Sequence, residues 1–383
     1  MSMNLSKFDS IVICSSPILM PYMFFIPGVS WCHPLFFLSI VFHGILGNIS
    51  KSVIVPWFLL GFAVLFMHLL YIQTTGTFGT LGFSRLFKYG LLISFAAVVY
   101  PRINQDTLTK ILVFFILAIM SALLLQYAVY FLTGATLVLV LPFVPLVNAD
   151  LDLQGIAGVL AISFRPGGLF LEPAHCSYYL FFAGLFLNSS SYSKKRLFVP
   201  IICIALFSTY SSFGFLACLV LSLVYLQKSN FGLKICISLI FLALIPFAVV
   251  VVTEIPQLAR ILDPESVAVV GRLTGGEHLV EELNEHQRSV GLGYGNFDFD
   301  GFVNGVSFAR LSFGNVGVSV ILLLVLSYVA MNYRHILVFY IAILLVVTVF
   351  TTLIFSEMLL LALLPFLAIN KNIKVRSLKI SAR

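Results

Sequence analysis

Lys110-Ile-Leu-Val-Phe-Phe-Ile-Leu-Ala-Ile-Met-Ser-Ala-Leu-Leu-Leu-Gln-Tyr-Ala-Val-Tyr-Phe-Leu-Thr133 contains one charged residue, at its first position. A helix rises 1.5 Å per residue, so about 20 apolar residues cross the hydrocarbon core of a bilayer, and this run is long enough to do so. The whole chain repeats the pattern. Of its 383 residues, 60% are apolar and 10% charged, against roughly 45–50% and about 25% in soluble globular proteins. That composition excludes a soluble enzyme, a disordered chain, a coiled coil and a nucleic-acid-binding domain. It points to an all-α polytopic membrane protein.

Working outward from 110–133 with the same window gives spans at 10–28, 31–49, 53–72, 84–101, 110–133, 174–190, 197–211, 213–227, 234–253, 311–331, 335–353 and 357–370, about twelve in all. Around Tyr210-Ser211-Ser212 two short helices or one re-entrant pair would fit. The stretch 135–147 is apolar but short and broken by Pro142 and Pro145, which suits a partly inserted or interfacial segment. The first span has one preceding basic residue, Lys7, and no small-x-small cleavage pattern, so it reads as a retained helix rather than a signal peptide. The six cysteines show no paired spacing and read as small apolar packing residues.

With the N-terminus in the cytoplasm, fifteen of the 22 basic residues and only Asp9 and Asp106 among the acids fall inside, a net +13. The outer side carries −6. This agrees with the positive-inside rule, with both termini cytoplasmic. It also reassigns the net charge of +7 from any nucleic-acid partner to topology. The expected organisation is N-terminal spans over 1–147, a first periplasmic loop at 148–173, central spans over 174–253 and a large periplasmic loop at 254–310. C-terminal spans follow over 311–370, then a basic cytoplasmic tail at 371–383. Chemistry is therefore expected on the outer face, without ATP.

The first outer loop ends Phe164-Arg165-Pro166-Gly167-Gly168-Leu169-Phe170-Leu171-Glu172-Pro173-Ala174-His175. Proline suits the first helical turn, where its missing N–H costs nothing. Glu172 then falls near the N-cap and His175 in the first turn. The orphan N–H groups and dipole of such a helix end attract anions. Gly167-Gly168 permits a tight turn that could fold Arg165 back over it. A structural reading, with Glu172 a cap and Arg165 its ion partner, stands beside the functional one.

The second loop carries Arg272 and then Glu277-His278-Leu279-Val280-Glu281-Glu282-Leu283-Asn284-Glu285-His286-Gln287-Arg288. Leu279, Val280 and Leu283 share one helical face, which predicts an amphipathic helix over the membrane domain. His278, Glu282 and His286 recur every four residues, a spacing that can ligate a metal but equally arises on a solvated face. No metal or other cofactor is assigned. Gly291-Leu-Gly293-Tyr-Gly295 has no preceding strand and is no dinucleotide motif; it allows close backbone approach to a ligand or to the membrane domain. Arg310 stands before the next span, and Ser356 and Glu357 mark another outer end. Arginine offers permanent, bidentate phosphate recognition. The set Arg165, Arg272, Arg288 and Arg310 therefore suits a lipid-linked phosphate or diphosphate, with Glu172, His175, Glu277, His278 or Glu357 as a general base. The alternative is an electrostatic network that only ties loop to membrane domain.

Arg165-Pro-Gly-Gly-Leu-Phe-Leu-Glu172-Pro173 resembles the R-x-x-G-x-F-x-E/N-P segment of bacterial O-antigen polymerases and their relatives, the O-antigen ligases. Ser211-Ser212-Phe213-Gly214 is similar to the family's turn between two short helices, and Gly271-Arg272 with Gly291-Leu-Gly293 looks like its large periplasmic loop. The resemblance covers about 150–330. It implies a GT-C-like, metal-independent glycosyltransferase of the bacterial inner membrane. Its donor and acceptor would be undecaprenyl-diphosphate-linked glycans, and a chain-length regulator is a possible partner. In that reading Glu172, His175 and Arg272 are catalytic, while Arg165, Arg288 and Arg310 bind the diphosphate. Ligases carry a histidine before the span that follows the large loop. Asn304-Gly-Val-Ser-Phe-Ala-Arg310 has none, which favours the polymerase. The rivals are a ligase and a non-enzymatic flippase for lipid-linked oligosaccharide.

Overall fold

A computed structural model of the chain describes residues 5–25, 29–46, 80–139, 144–146, 164–227, 275–293, 303–331, 341, 343–344, 347 and 356–366. The expected spans 53–72 and 234–253, and Arg272, lie outside them. The described residues are mostly helical, and their only β-type pairings are two isolated bridges, Tyr22–Leu146 and Met23–Ser30. The elements are α1 (Leu5–Leu19), α2 (Cys32–Ile45), α3 (Thr80–Val99), α4 (Gln105–Thr133), α5 (Pro173–Ser189), α6 (Lys195–Ser208), α7 (Ser212–Gln227), α8 (Glu277–Glu281), α9 (Glu285–Val290) and α10 (Gly305–Met331). Residues 358–366 are also helical. The chain divides into one compact unit of Met1–Cys32, Ile103–Pro264 and Leu360–Arg383, and a second of His33–Arg102 and Glu265–Leu359.

In the first unit α4 starts where Asn104 caps it, its side-chain oxygen accepting from the N–H groups of Asp106 and Thr107 at 2.9 and 3.2 Å. Asp106 adds a negative charge at the positive end of the dipole. At 29 residues the helix is about 43 Å long. Leu108, Leu112, Ile116, Ile119, Leu123 and Gln126 recur every three or four residues along its buried face. The opposite face is apolar too: Phe114 is 66% and Leu124 68% exposed. A soluble protein would place charged groups there. Two described helices, Gln105–Thr133 and Gly305–Leu323, are long and apolar enough to cross a membrane.

Helix α5 is the hub of this unit. It is buried on every side from Cys176 to Ser189, as expected of a helix apolar all round, and it packs on α4, α6 and α7. A Cβ on Gly184 would lie 2.5 Å from Leu221 Cδ2, so the missing side chain lets α7 approach. The Tyr179 hydroxyl donates to the Cys14 carbonyl of α1 at 3.1 Å. Beyond the far end of α5, the Lys195 ammonium donates to Ser190 O at 2.6 Å, and burial followed by the neighbouring Arg196 charge pushes its pKa down. The stretch after α4 is non-helical over 135–139 and 144–146, and Pro145 O accepts from Met23 N–H at 2.7 Å.

In the second unit Phe36 of α2 stacks on Phe95 of α3, centroids 4.8 Å apart. The amphipathic helix expected over 277–288 is instead two short helices. Asn284 interrupts it with a capping box: its side chain takes the Gln287 N–H at 2.8 Å, and Gln287 Oε1 takes the Asn284 N–H at 3.2 Å. The expected apolar face survives the break. Val280 and Leu283 are buried with Val303 and Leu311, and Leu279, Leu292 and Phe308 pack against them. Each such burial is worth about 1.5–3 kcal/mol.

Helix α10 breaks at Gly314 (φ 63°, ψ −180°). In an unbroken helix Leu311 O would accept the N–H four residues on. Here the Leu292 N–H occupies it at 2.7 Å. A Cβ on Gly291 would stand 2.6 Å from Gly314 N, and one on Gly314 would strike the Ser289 carbonyl. The Gly-x-Gly run therefore brings backbone against backbone of α10, one of the two uses its sequence allows.

Candidate functional site

Residues 164–175 enter α5 through a turn fixed from below. Gly168 adopts φ +63°, and a Cβ there would meet Ile119 Cγ2 at 3.1 Å and Cys176 Sγ at 3.5 Å, so glycine is required both by conformation and by space. The Phe170 N–H closes the turn on Gly167 O at 3.0 Å. Gln126, inside the apolar α4, then holds both backbone groups of Gly168: its Oε1 accepts the Gly168 N–H at 2.9 Å, and its Nε2 donates to Gly168 O at 3.4 Å and to Leu137 O at 3.0 Å. Phe170 and Leu171 are buried beneath the segment.

Pro173 is the first residue of α5 and Glu172 its N-cap, in extended conformation. The Glu172 side chain makes no capping bond. It is 59% exposed, and its Oε2 lies 3.6 Å from Nε2 of His175, itself 21% exposed. At that separation the contact is a charge interaction, present when the imidazole is protonated, rather than a hydrogen bond. Helix geometry brings the two together, because positions three apart share a face. Arg165 lies on the same segment, beyond the Gly167-Gly168 turn, and its Nε is sealed from solvent. A carboxylate–imidazole pair at a helix N-terminus can accept a proton from a hydroxyl, and a guanidinium on the same segment can face an anion.

A second polar group joins α5 to the α6–α7 turn. Ser177 Oγ donates to Pro173 O at 2.9 Å and lies 2.9 Å from Thr209 Oγ1. Gly214 packs here, where a Cβ would lie 2.6 Å from Leu206 O.

The other expected site residues belong to the second unit. The Arg288 guanidinium donates to the Glu281 carbonyl, which gives it a structural task at the end of α8. Arg310 Nε donates to Asn315 Oδ1 at 3.2 Å, across the break at Gly314. Glu277, His278, Glu282 and His286 are exposed. The Asn284 break removes the continuous helix that would have aligned His278, Glu282 and His286. Glu357 is 8% exposed and pairs with His33 at 3.8 Å.

Sequence reasoning missed Gln126, Ser177 and His33. Gln126 had a readable signal: a lone amide deep in an apolar span is retained where it has a partner. His33 had none, since its partner lies more than 300 residues away. No family model, curated protein or solved structure matches this chain.

Proposed function

We propose that this chain is a multi-pass glycosyltransferase of the bacterial inner membrane, with about twelve spans and a GT-C-like fold. In this reading it joins undecaprenyl-diphosphate-linked oligosaccharide repeat units at the periplasmic face, as O-antigen polymerases do. The observation that carries the proposal is the Glu172–His175 pair at the mouth of α5, with Arg165 on the same pinned segment. The acceptor hydroxyl oxygen attacks the donor anomeric carbon, and its proton passes to the Glu172–His175 pair. The bond from that carbon to the diphosphate breaks, and the polyprenyl diphosphate leaves with its charge facing Arg165. The sugar–diphosphate bond supplies the energy, so no nucleotide is needed.

The test is the lipopolysaccharide banding pattern of a deletion strain. A polymerase null makes single-repeat lipopolysaccharide, a ligase null makes none capped, and a flippase null leaves no lipid-linked units on the periplasmic leaflet. Arg165→Lys, present at normal level, should cut long-chain product by about tenfold or more, because a point charge cannot replace a bidentate clamp. A full ladder from both Arg165→Lys and Glu172→Gln would refute the assignment.

A further inference from the structure

Three segments of the first unit converge in a cluster of aromatic rings. Phe164 stacks on Tyr130 of α4 with centroids 4.0 Å apart and planes at 11°, and meets Tyr127 edge-on at 5.0 Å. Tyr127 lies 6.0 Å from Phe131 and 6.5 Å from Tyr210 of the α6–α7 turn, and its hydroxyl donates to Ser208 O at 2.6 Å. Tyr127, Tyr130, Phe164 and Tyr210 are each half-buried, while Phe131 is 77% exposed. Tyr210 has φ +47°, the only described non-glycine residue in the left-handed region. A residue with a Cβ is held there only when its surroundings over-determine it, and such strain clusters at ligand sites.

We propose that Tyr127, Tyr130, Phe164 and Tyr210 form the seat of a pyranose ring of a polyprenyl-diphosphate-linked glycan. This rests on the glycosyltransferase reading above and names the part of the substrate that meets these rings. A pyranose presents C–H groups on its face and hydroxyls around its edge. An aromatic face is the negative side of its quadrupole and attracts the C–H groups, while phenol oxygens answer the hydroxyls. An acyl tail would gain nothing from the three phenols. In a glycosyl diphosphate the charged group is attached directly to the sugar ring. The protein repeats that order, since Arg165 directly follows Phe164 in the chain, which sets the two Cα atoms about 3.8 Å apart. Rings that merely anchor helices at a membrane surface are spread around the perimeter. These converge from three segments far apart in sequence, with Phe164 stacked on Tyr130 and edge-on to Tyr127.

The probes are undecaprenyl diphosphate bearing one hexose, N-acetylhexosamine or 6-deoxyhexose, each compared with bare undecaprenyl diphosphate. They are titrated into the full chain in lipid nanodiscs. At least one glycosylated form should bind about tenfold tighter than the bare lipid. Phe164→Leu and Tyr130→Leu, checked for wild-type helicity and monodispersity, should reduce that ratio to about one without changing affinity for the bare lipid. Phe164→Tyr should restore it. If the wild-type chain binds every form alike, or both leucine variants keep the preference, the aromatic seat is overturned while the glycosyltransferase reading stands. If the wild-type chain binds none of the lipids, that reading falls and the seat with it.

Discussion

Gln126→Leu is the perturbation that bears most directly on the 164–175 segment. Leucine nearly conserves volume, so little cavity forms, but the Gly168 N–H loses its acceptor and two carbonyls lose the Nε2 donor. Gly168 is buried. Orphaning a buried donor costs about 1–3 kcal/mol, and the two carbonyls raise the expected total to about 2–3 kcal/mol. The loss should appear first as local opening of the turn. Cys176 offers a native reporter, because it is fully buried and its Sγ lies 3.5 Å from where a Gly168 Cβ would stand. If lifting the turn uncovers it, 2–3 kcal/mol raises the open population roughly 30- to 140-fold. The assay is the labelling rate of Cys176 by a methanethiosulfonate reagent, read by peptide mass spectrometry on the purified chain in detergent. A Gln126→Leu protein of normal helicity whose Cys176 reacts at the wild-type rate would refute the clamp.

Gly314→Ala combines a left-handed φ with a clash against the Ser289 carbonyl. It should cost at least about 2 kcal/mol and lower the melting temperature in detergent. Gly90→Ala, where nothing lies within 4 Å of the added methyl, should instead be neutral or stabilising by up to about 1 kcal/mol in the same melt, since it lies inside α3. Asn104→Ala removes the cap of α4 and should cost about 1 kcal/mol, readable in the same melt; Asn104→Asp should recover most of it.

The particular helices show why hydropathy locates helices better than it bounds them. The window for α4 opens at Lys110, but the helix runs back to Gln105, because its hydrogen-bond ladder continues through a polar first turn to the Asn104 cap. The window 10–28 treats Met20-Pro21-Tyr22 as continuous apolar chain. The helix ends at Leu19, as expected where the residue before a proline is pushed out of helical conformation. Pro173 marked the start of α5 correctly because its constraint is entirely local. The helix expected over 277–288 failed as one piece because period alone registers the apolar face and misses the Asn284–Gln287 capping box.

Helical class, the place of α4 in the chain, the entry to α5 and the three-residue spacing of Glu172 and His175 follow from the chain alone. Each depends on groups within a turn or two of one another, or on apolar length. The hold of Gln126 on Gly168, the meeting of Phe164 with Tyr127 and Tyr130, the docking of Leu292 on the broken α10 and the pairing of His33 with Glu357 depend on folding. They join residues from 19 to more than 300 positions apart. Such contacts leave no periodic trace, because they form only after helices pack and the entropy of closing the intervening chain has been overcome.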